Sequence, residues 1–125
     1  MVPTLAGADT LSLNELAAGA KALIREAQSG SISPDKLQGG SFTVTNLGSM
    51  GIESFTPVIN PPQTAILGVC AITRRIKQGA GGDVSYPAMG LSLTIDHRAV
   101  DGAPAARFLK TLCTNLENFE LLLAR

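Results

Sequence analysis

The stretch TAILGVCAI, residues 64 to 72, constrains the fold more than any other part of the sequence. It is continuously apolar, whereas a strand with one face in water alternates apolar and polar residues. Such a run is typical of a strand that is covered on both faces. The sequence therefore predicts a sheet with this strand at its centre.

The clearest helix is predicted over residues 13 to 28, where Leu, Ile and Ala recur at steps of three and four. Ser12 and Glu15 have the spacing of a capping box, in which each side chain bonds the other residue's backbone N–H. Gly30 stands where a left-handed C-terminal cap belongs. Both ends of this helix are thus marked in the sequence.

The remaining elements are predicted from residue composition and from the spacing of the apolar residues. Residues 41 to 46 favour a strand, and the Gly- and Pro-containing residues 47 to 62 predict an ordered loop. Residues 74 to 87 predict an exposed hairpin with a turn at 79 to 83, and residues 88 to 96 supply the returning strand. A second apolar stripe predicts a helix over 103 to 117, with Pro104 in its first turn. The order indicates an α+β fold, with helices covering a mixed β-sheet.

Composition excludes several function classes. A chain of 125 residues is expected to form one domain, with ten Lys and Arg balanced by ten Asp and Glu. No basic block or aromatic cluster marks a nucleic-acid surface, and no apolar run approaches the ~20 residues of a membrane span. We therefore expect a soluble intracellular protein with neither nucleic acid nor membrane as partner. Cys70 and Cys113 lack metal or redox spacing and are predicted to be reduced, buried thiols.

The stretch TIDHRAVDG, residues 94 to 102, contains the only histidine of the chain. Residues 89 to 96 alternate, and continuing that alternation turns His97 toward the apolar side. One interpretation is a core histidine whose nitrogens bond the backbone. The other is a catalytic base, because the junction of a strand and a helix N-terminus disfavours imidazolium.

The charged neighbours of this histidine also have two interpretations. Asp101 is either the N-cap of the following helix or a residue that supports His97. Asp96 and Arg98 lie in the opposite phase of the strand, and we expect them to pair with other charges and to brace the structure.

The residues His97 to Gly102, preceded by Asp96, form an H-x-x-x-D-G motif that resembles the signature of the dihydrolipoamide acyltransferases, the E2 components of 2-oxoacid dehydrogenase complexes. The similarity extends through GGSFTVTNLGSMGIESFTPVINPPQTAILGV, residues 39 to 69, and into the first helix, so that it covers nearly the whole chain. It implies a fold like that of chloramphenicol acetyltransferase.

The resemblance implies transfer of an acyl group between a dihydrolipoyl thioester and coenzyme A, with no metal. It makes His97 the general base, Thr45 the hydroxyl donor to the oxyanion and Asp101 a support of the active-site geometry. Asn46 and Ser49 match positions near the coenzyme. Ordinary local roles compete with these: Thr is a good strand residue, and Asn and Ser form turns.

The resemblance also implies partners. The family's active site forms between neighbouring subunits of a trimer, so we expect a homo-oligomer, either a trimer or a cage built from trimers. The lipoyl group would come from another domain or chain, and other dehydrogenase-complex subunits are expected partners. The expected location is the cytoplasm, or the mitochondrial matrix in a eukaryote.

The chain departs from the family in length. The family's catalytic domain has about as much chain again before the first helix. Residues 1 to 125 are therefore predicted to be one partial catalytic domain, truncated at the N-terminus, without a lipoyl or subunit-binding domain. Three functions stay open: an acyltransferase, a non-catalytic scaffold or assembly protein, and a small-molecule acetyltransferase like those acting on chloramphenicol.

Overall fold

A computed structural model describes residues 1 to 123 of the chain. These residues form two compact units, Met1–Ser41 and the chain from Phe42 onward. Each unit is described separately below. In residues 1 to 123, no helix is both long enough and apolar enough to cross a membrane.

The first unit contains the predicted helix, α1, which spans Leu13–Ser29. The capping box is present: Ser12 Oγ accepts from the Glu15 N–H at 3.3 Å, and the Glu15 carboxylate accepts from the Ser12 N–H at 2.8 Å. The Ser12 hydroxyl also donates to the Glu15 carboxylate, at 2.6 Å, and this bond, followed by the one from the Ser12 N–H, lowers the pKa of Glu15. Gly30 ends the helix in the left-handed conformation, with φ of 72°. The predicted helix and both of its caps are confirmed.

The second unit contains a mixed three-stranded sheet. Its strands are β1, Thr43–Asn46, β2, Ala65–Gly79, and β3, Gly82–Ile95. The strand β2 lies in the middle, parallel to β1 and antiparallel to β3. Its first half holds the buried core of this unit, including Ile66, Leu67 and Cys70. The prediction of a central strand over this apolar run is confirmed.

The predicted exposed hairpin over residues 74 to 87 is confirmed, but its two strands are continuous with those of the sheet. Pairing continues to Gly79 and Gly82, so the returning strand begins at residue 82 rather than at residue 88. The register shifts between Val69 and Ile72, which marks a bulge. The outer hairpin is largely exposed on both faces, and its sequence therefore carries no clear alternation.

A loop after β1 lies close against the sheet. The Leu47 N–H donates to the Val69 carbonyl at 3.0 Å, and the Ala71 N–H donates to the Ile52 carbonyl at 2.7 Å. Glycines permit this approach: a Cβ at Gly68 would lie 2.8 Å from the Phe55 ring. The predicted ordered loop is confirmed, with a short 3₁₀ turn over Gly48–Met50.

Two helices complete the second unit. They are α2, Gly102–Glu117, and α3, Phe119–Leu123. The helix α2 contacts β3, and the Phe108 ring lies 6.1 Å from the ring of Phe42, between centroids. The expected α+β class with a mixed sheet is confirmed. Both cysteines are free; Cys70 is buried as predicted, whereas Cys113 on α2 is only half-buried.

Candidate active site

His97 lies in a tight turn between β3 and α2. The strand β3 ends at Ile95, and the Asp96 N–H makes one further bond, to the Thr64 carbonyl at 2.8 Å. The Asp96 carbonyl then accepts from the N–H groups of Ala99 and Val100, which closes the turn. The alternation of the strand therefore stops before residue 97, and the His97 side chain is 75% exposed. The predicted inward orientation and the core-histidine interpretation are wrong.

Asp101 lies beside His97. Its Oδ1 is 3.9 Å from Nδ1 of His97, which is ion-pair range for a protonated imidazole but too long for a hydrogen bond. Asp101 occupies the N-cap position of α2, and its carbonyl accepts from the Ala105 N–H at 3.2 Å. Among the described residues, however, its carboxylate caps no N–H of the helix. The predicted side-chain cap is therefore wrong, and the exposed carboxylate is free to act on the imidazole.

Asp96 and Arg98, on either side of His97, bind each other. Arg98 Nη2 donates to Asp96 Oδ2 at 2.7 Å, and Arg98 Nε donates to Oδ1 at 3.0 Å. The Arg98 backbone N–H also donates to Asp96 Oδ1, at 3.0 Å. These bonds lower the pKa of Asp96 to about 2. The sequence predicts pairing with other charges, whereas the two residues pair with each other. The bond from the Arg98 N–H to Asp96 was also missed, although an Asp commonly bonds the backbone two residues ahead.

Thr45, Asn46 and Ser49 lie at the end of β1 and in the turn that follows. Thr45 is half-buried in register with Gly68 of β2. The Asn46 Oδ1 accepts from the Gly48 N–H at 2.9 Å, so the turn-forming role is present. Ser49 is exposed in the 3₁₀ turn.

One chain does not bring Thr45 and His97 together. Thr45 is in register with Gly68, which pairs with Ser92 of β3. Two strand spacings separate Thr45 from Ser92, roughly 10 Å, and β3 runs about another 10 Å from Ser92 to its end. The predicted base and oxyanion donor are therefore out of reach of each other within the described chain.

Metal ligands are not clustered in the described residues. Over positions 1 to 123, no group of three or more His, Cys, Asp or Glu side chains is placed to hold a metal ion.

Comparison with known proteins identifies the family. The model of the 2-oxoacid dehydrogenases acyltransferase (catalytic domain) family matches residues 1–124. The chain therefore belongs to this family, and the resemblance carried by the H-x-x-x-D-G motif is confirmed.

A similar curated relative is the dihydrolipoyllysine-residue acetyltransferase component of the acetoin cleaving system of Bacillus subtilis. It is 45% identical over 117 residues, which are 94% of this chain and 29% of that protein.

Two solved structures share the fold. One is the dihydrolipoamide acetyltransferase of Azotobacter vinelandii, with a TM-score of 0.92 and 38% identity. That structure was solved to investigate the roles of a serine, a histidine and an asparagine in the catalytic mechanism of the enzyme. The other is the cubic core of the pyruvate dehydrogenase multienzyme complex, with a TM-score of 0.93 and 37% identity. Each match covers 98% of this chain and 51% of the solved chain, so this chain spans about half the length of these cores.

Proposed function

We propose that the chain transfers an acyl group between a dihydrolipoyl thioester and coenzyme A in a 2-oxoacid dehydrogenase complex. The observation that carries this proposal is an exposed His97, with Asp101 beside it, in a chain matched almost end to end by the acyltransferase family. Residues 1 to 125 would form part of the catalytic domain. The proposed site of action is the cytoplasm, or the mitochondrial matrix in a eukaryote.

His97 is proposed as the general base. A thiol with an ordinary pKa of about 8.5 is mostly protonated at neutral pH, whereas an ordinary imidazole, with a pKa of about 6.5, is mostly able to accept its proton. The imidazole takes the proton of the coenzyme A thiol, and the sulfur attacks the thioester carbonyl. The tetrahedral intermediate then expels the dihydrolipoyl sulfur, which takes the proton back from the imidazolium. A base positioned in this way contributes about 10² to 10⁴ in rate.

Thr45 is proposed as the donor to the oxyanion of that intermediate. Because Thr45 and His97 lie apart within one chain, the proposed site combines His97 of one subunit with Thr45 of a second copy. The spacing along the sequence supports the assignment. The serine, histidine and asparagine studied in the Azotobacter vinelandii enzyme are separated along its chain as Thr45, His97 and Asp101 are along this one.

Asn46 and Ser49 are proposed to contact coenzyme A. The Asn46 Oδ1 is used in the turn with Gly48, so its amide nitrogen supplies the donors for a ligand. The hydroxyl of Ser49 is a second donor on the same exposed turn. Coenzyme A enters as substrate, and the lipoyl group would arrive on another domain or chain. The proposed assembly is a trimer or a cage of trimers, together with other subunits of the complex.

The test is coenzyme A-dependent acyl transfer to and from dihydrolipoamide, with acetyl and succinyl donors. The purified protein is compared with His97→Ala at matched oligomeric state, and Asp35→Ala serves as an exposed acidic control. Turnover in the unmodified protein and in Asp35→Ala, but lost by His97→Ala, supports the proposal. Equal turnover with and without the imidazole would overturn it.

A scaffold is the second candidate function. The observation that favours it is that the chain spans about half of the solved cores. A well-folded oligomer without turnover, which also gains none on addition of dehydrogenase-complex subunits, would support the scaffold and contradict the transferase.

A further inference from the structure

The turn that carries His97 is built around one carboxylate. Asp96 follows directly on β3, and its backbone N–H remains tied to Thr64 on the neighbouring stretch of chain. Its carbonyl closes the turn by accepting from two later N–H groups. The side chain of Asp96 is only 24% exposed, in contrast with the open side chains of His97 and Arg98. Asp96 is therefore the residue through which the turn is attached to the sheet.

The Asp96 carboxylate fixes the peptide unit that follows His97. Its Oδ1 accepts from the Arg98 N–H at 3.0 Å, and that N–H belongs to the peptide joining residues 97 and 98. Holding this peptide plane restricts ψ of His97 and φ of Arg98. Those two angles determine the path of the backbone immediately after the His97 Cα, to which the imidazole is attached.

The Arg98 side chain holds the carboxylate in that position. Its guanidinium folds back and donates to both oxygens of Asp96, at 2.7 to 3.2 Å. A planar guanidinium matches a carboxylate in this two-point manner, whereas a lysine would act as a point charge. The guanidinium also balances the negative charge next to the imidazole.

From this geometry we infer that Asp96, held by Arg98, is a positioning residue that fixes the direction of the His97 imidazole. The inference rests on the proposed function, because it assigns Asp96 a part in the same site. Asp96 has no chemical step of its own: its effect passes through the backbone between residues 96 and 98. Misplacement of a reacting group by about 1 Å can cost about 10² in rate.

The order of His97 can be measured without any assay of activity. His97 is the only histidine, so protein labelled with ¹⁵N-histidine gives one backbone amide signal. Its heteronuclear NOE reports whether that amide is rigid or mobile on the ps–ns timescale. The same oligomer is then assayed for kcat and for the KM of coenzyme A.

Four variants separate the contributions. Asp96→Ala removes both the backbone bond and the ion pair, and we expect a mobile His97 amide and a fall in kcat of about 10- to 100-fold, with little change in KM. Asp96→Asn keeps an oxygen for the Arg98 N–H, and we expect it to restore most of the rigidity of the His97 amide and most of kcat. Arg98→Ala changes a side chain that is 90% exposed, so we expect this variant to fold. It should lose part of the rigidity of the His97 amide and part of kcat. Asp83→Ala, at the far end of β3, is the matched control and leaves both unchanged.

The two proposals fail in different ways. A His97 amide as rigid in Asp96→Ala and Arg98→Ala as in the unmodified protein overturns the positioning role, whatever the turnover. Should Asp96→Ala not fold, Arg98→Ala alone decides in the same manner. A loss of order that Asp96→Asn repairs, in a protein without acyl transfer, supports the positioning role and contradicts the proposed function.

Discussion

The Asp101 carboxylate lies 3.9 Å from Nδ1 of His97 and, within residues 1 to 123, does not cap the helix that it precedes. Ser12, at the corresponding position before α1, does cap its helix. Two residues at equivalent helix positions therefore differ: the Ser12 side chain bonds its helix, whereas the Asp101 carboxylate lies beside the imidazole.

This contrast predicts different effects on stability. Asp101→Ala removes no capping bond, so the free energy of unfolding should change by no more than about 0.5 kcal/mol. Ser12→Ala removes a capping box and should lower it by about 1 kcal/mol. Urea unfolding of both variants measures the difference. A larger loss for Asp101→Ala than for Ser12→Ala would contradict it.

Activity should separate two substitutions of Asp101. An asparagine side chain presents a neutral oxygen acceptor of nearly the same size as the carboxylate that lies 3.9 Å from the imidazole. Asp101→Asn should therefore keep most of the acyl transfer, whereas Asp101→Leu, of similar size but without an acceptor, should lose it. Equal kcat/KM for the two variants would show that the oxygen of residue 101 has no part in the reaction.

A site shared between subunits predicts complementation. Thr45→Ala should lower kcat by about 10² to 10³, because one oxyanion donor is lost. His97→Ala removes the proposed base. In oligomers assembled from equal amounts of the two variants, about a quarter of the sites would combine an intact His97 with an intact Thr45. Recovery of about that share of turnover after unfolding and co-refolding is the expected result, and no recovery would place both residues in one subunit's site.

The close contact at Gly68 predicts that adding a single methyl group there lowers the stability of the fold. A Cβ there would lie 2.8 Å from the Phe55 ring, so Gly68→Ala should lower the free energy of unfolding by about 1 to 3 kcal/mol. Gly81→Ala, in the hairpin turn, is the control, since no described atom lies within 4 Å of its added Cβ. Combining Gly68→Ala with Phe55→Leu should recover part of the loss. Equal stability of the two alanine variants would refute the contact.

The ion pair beside His97 predicts a pH dependence. Hydrogen bonds from Arg98 lower the pKa of Asp96 from 3.8 to about 2. A carboxyl group whose pKa is lowered by folding stabilises the folded state above its unfolded pKa and loses this effect as pH falls through its folded pKa. The Asp96 carboxylate should therefore stay ionised at pH 3.5 and become protonated near pH 2. The ¹³C shift of its carboxyl group follows this titration, and Arg98→Ala should return the midpoint toward 3.8; a midpoint already near 3.8 in the unmodified protein would contradict the pairing.

Local signals explain what could be predicted from sequence. The apolar run that forms the start of β2 and the capping residues Ser12 and Gly30 specify their structures through near neighbours, and all three predictions hold. The outer hairpin was predicted, but the returning strand was placed from residue 88 instead of residue 82, because both faces of the hairpin meet water and leave no alternation to detect.

The orientation of His97 could not be predicted because it depends on where a strand stops. Strand pairing ends at Ile95, two residues before His97. An extended strand continued to residue 97 would have buried the imidazole, whereas the turn found there leaves it exposed. The bond from the Arg98 N–H to Asp96 is also local. Which charged side chains pair with Asp96 and Arg98, however, depends on the three-dimensional structure. The proposed meeting of Thr45 with His97 of another copy is implied by the family resemblance and not by the periodicity or spacing of residues in a single chain.

The narrow space between the loop and the sheet has a consequence for sequence variation. A Cβ at Gly48 would lie 2.6 Å from the Cys70 carbonyl oxygen, immediately after the segment that carries Thr45 and Asn46. In a library of random single substitutions, Gly48 and Gly68 should therefore tolerate change as poorly as the reacting groups, although neither has a side chain to offer a substrate. Intolerance at these positions would reflect how closely the loop packs on the sheet. A map of intolerant positions would therefore include residues that support the site as well as the residues of the site itself.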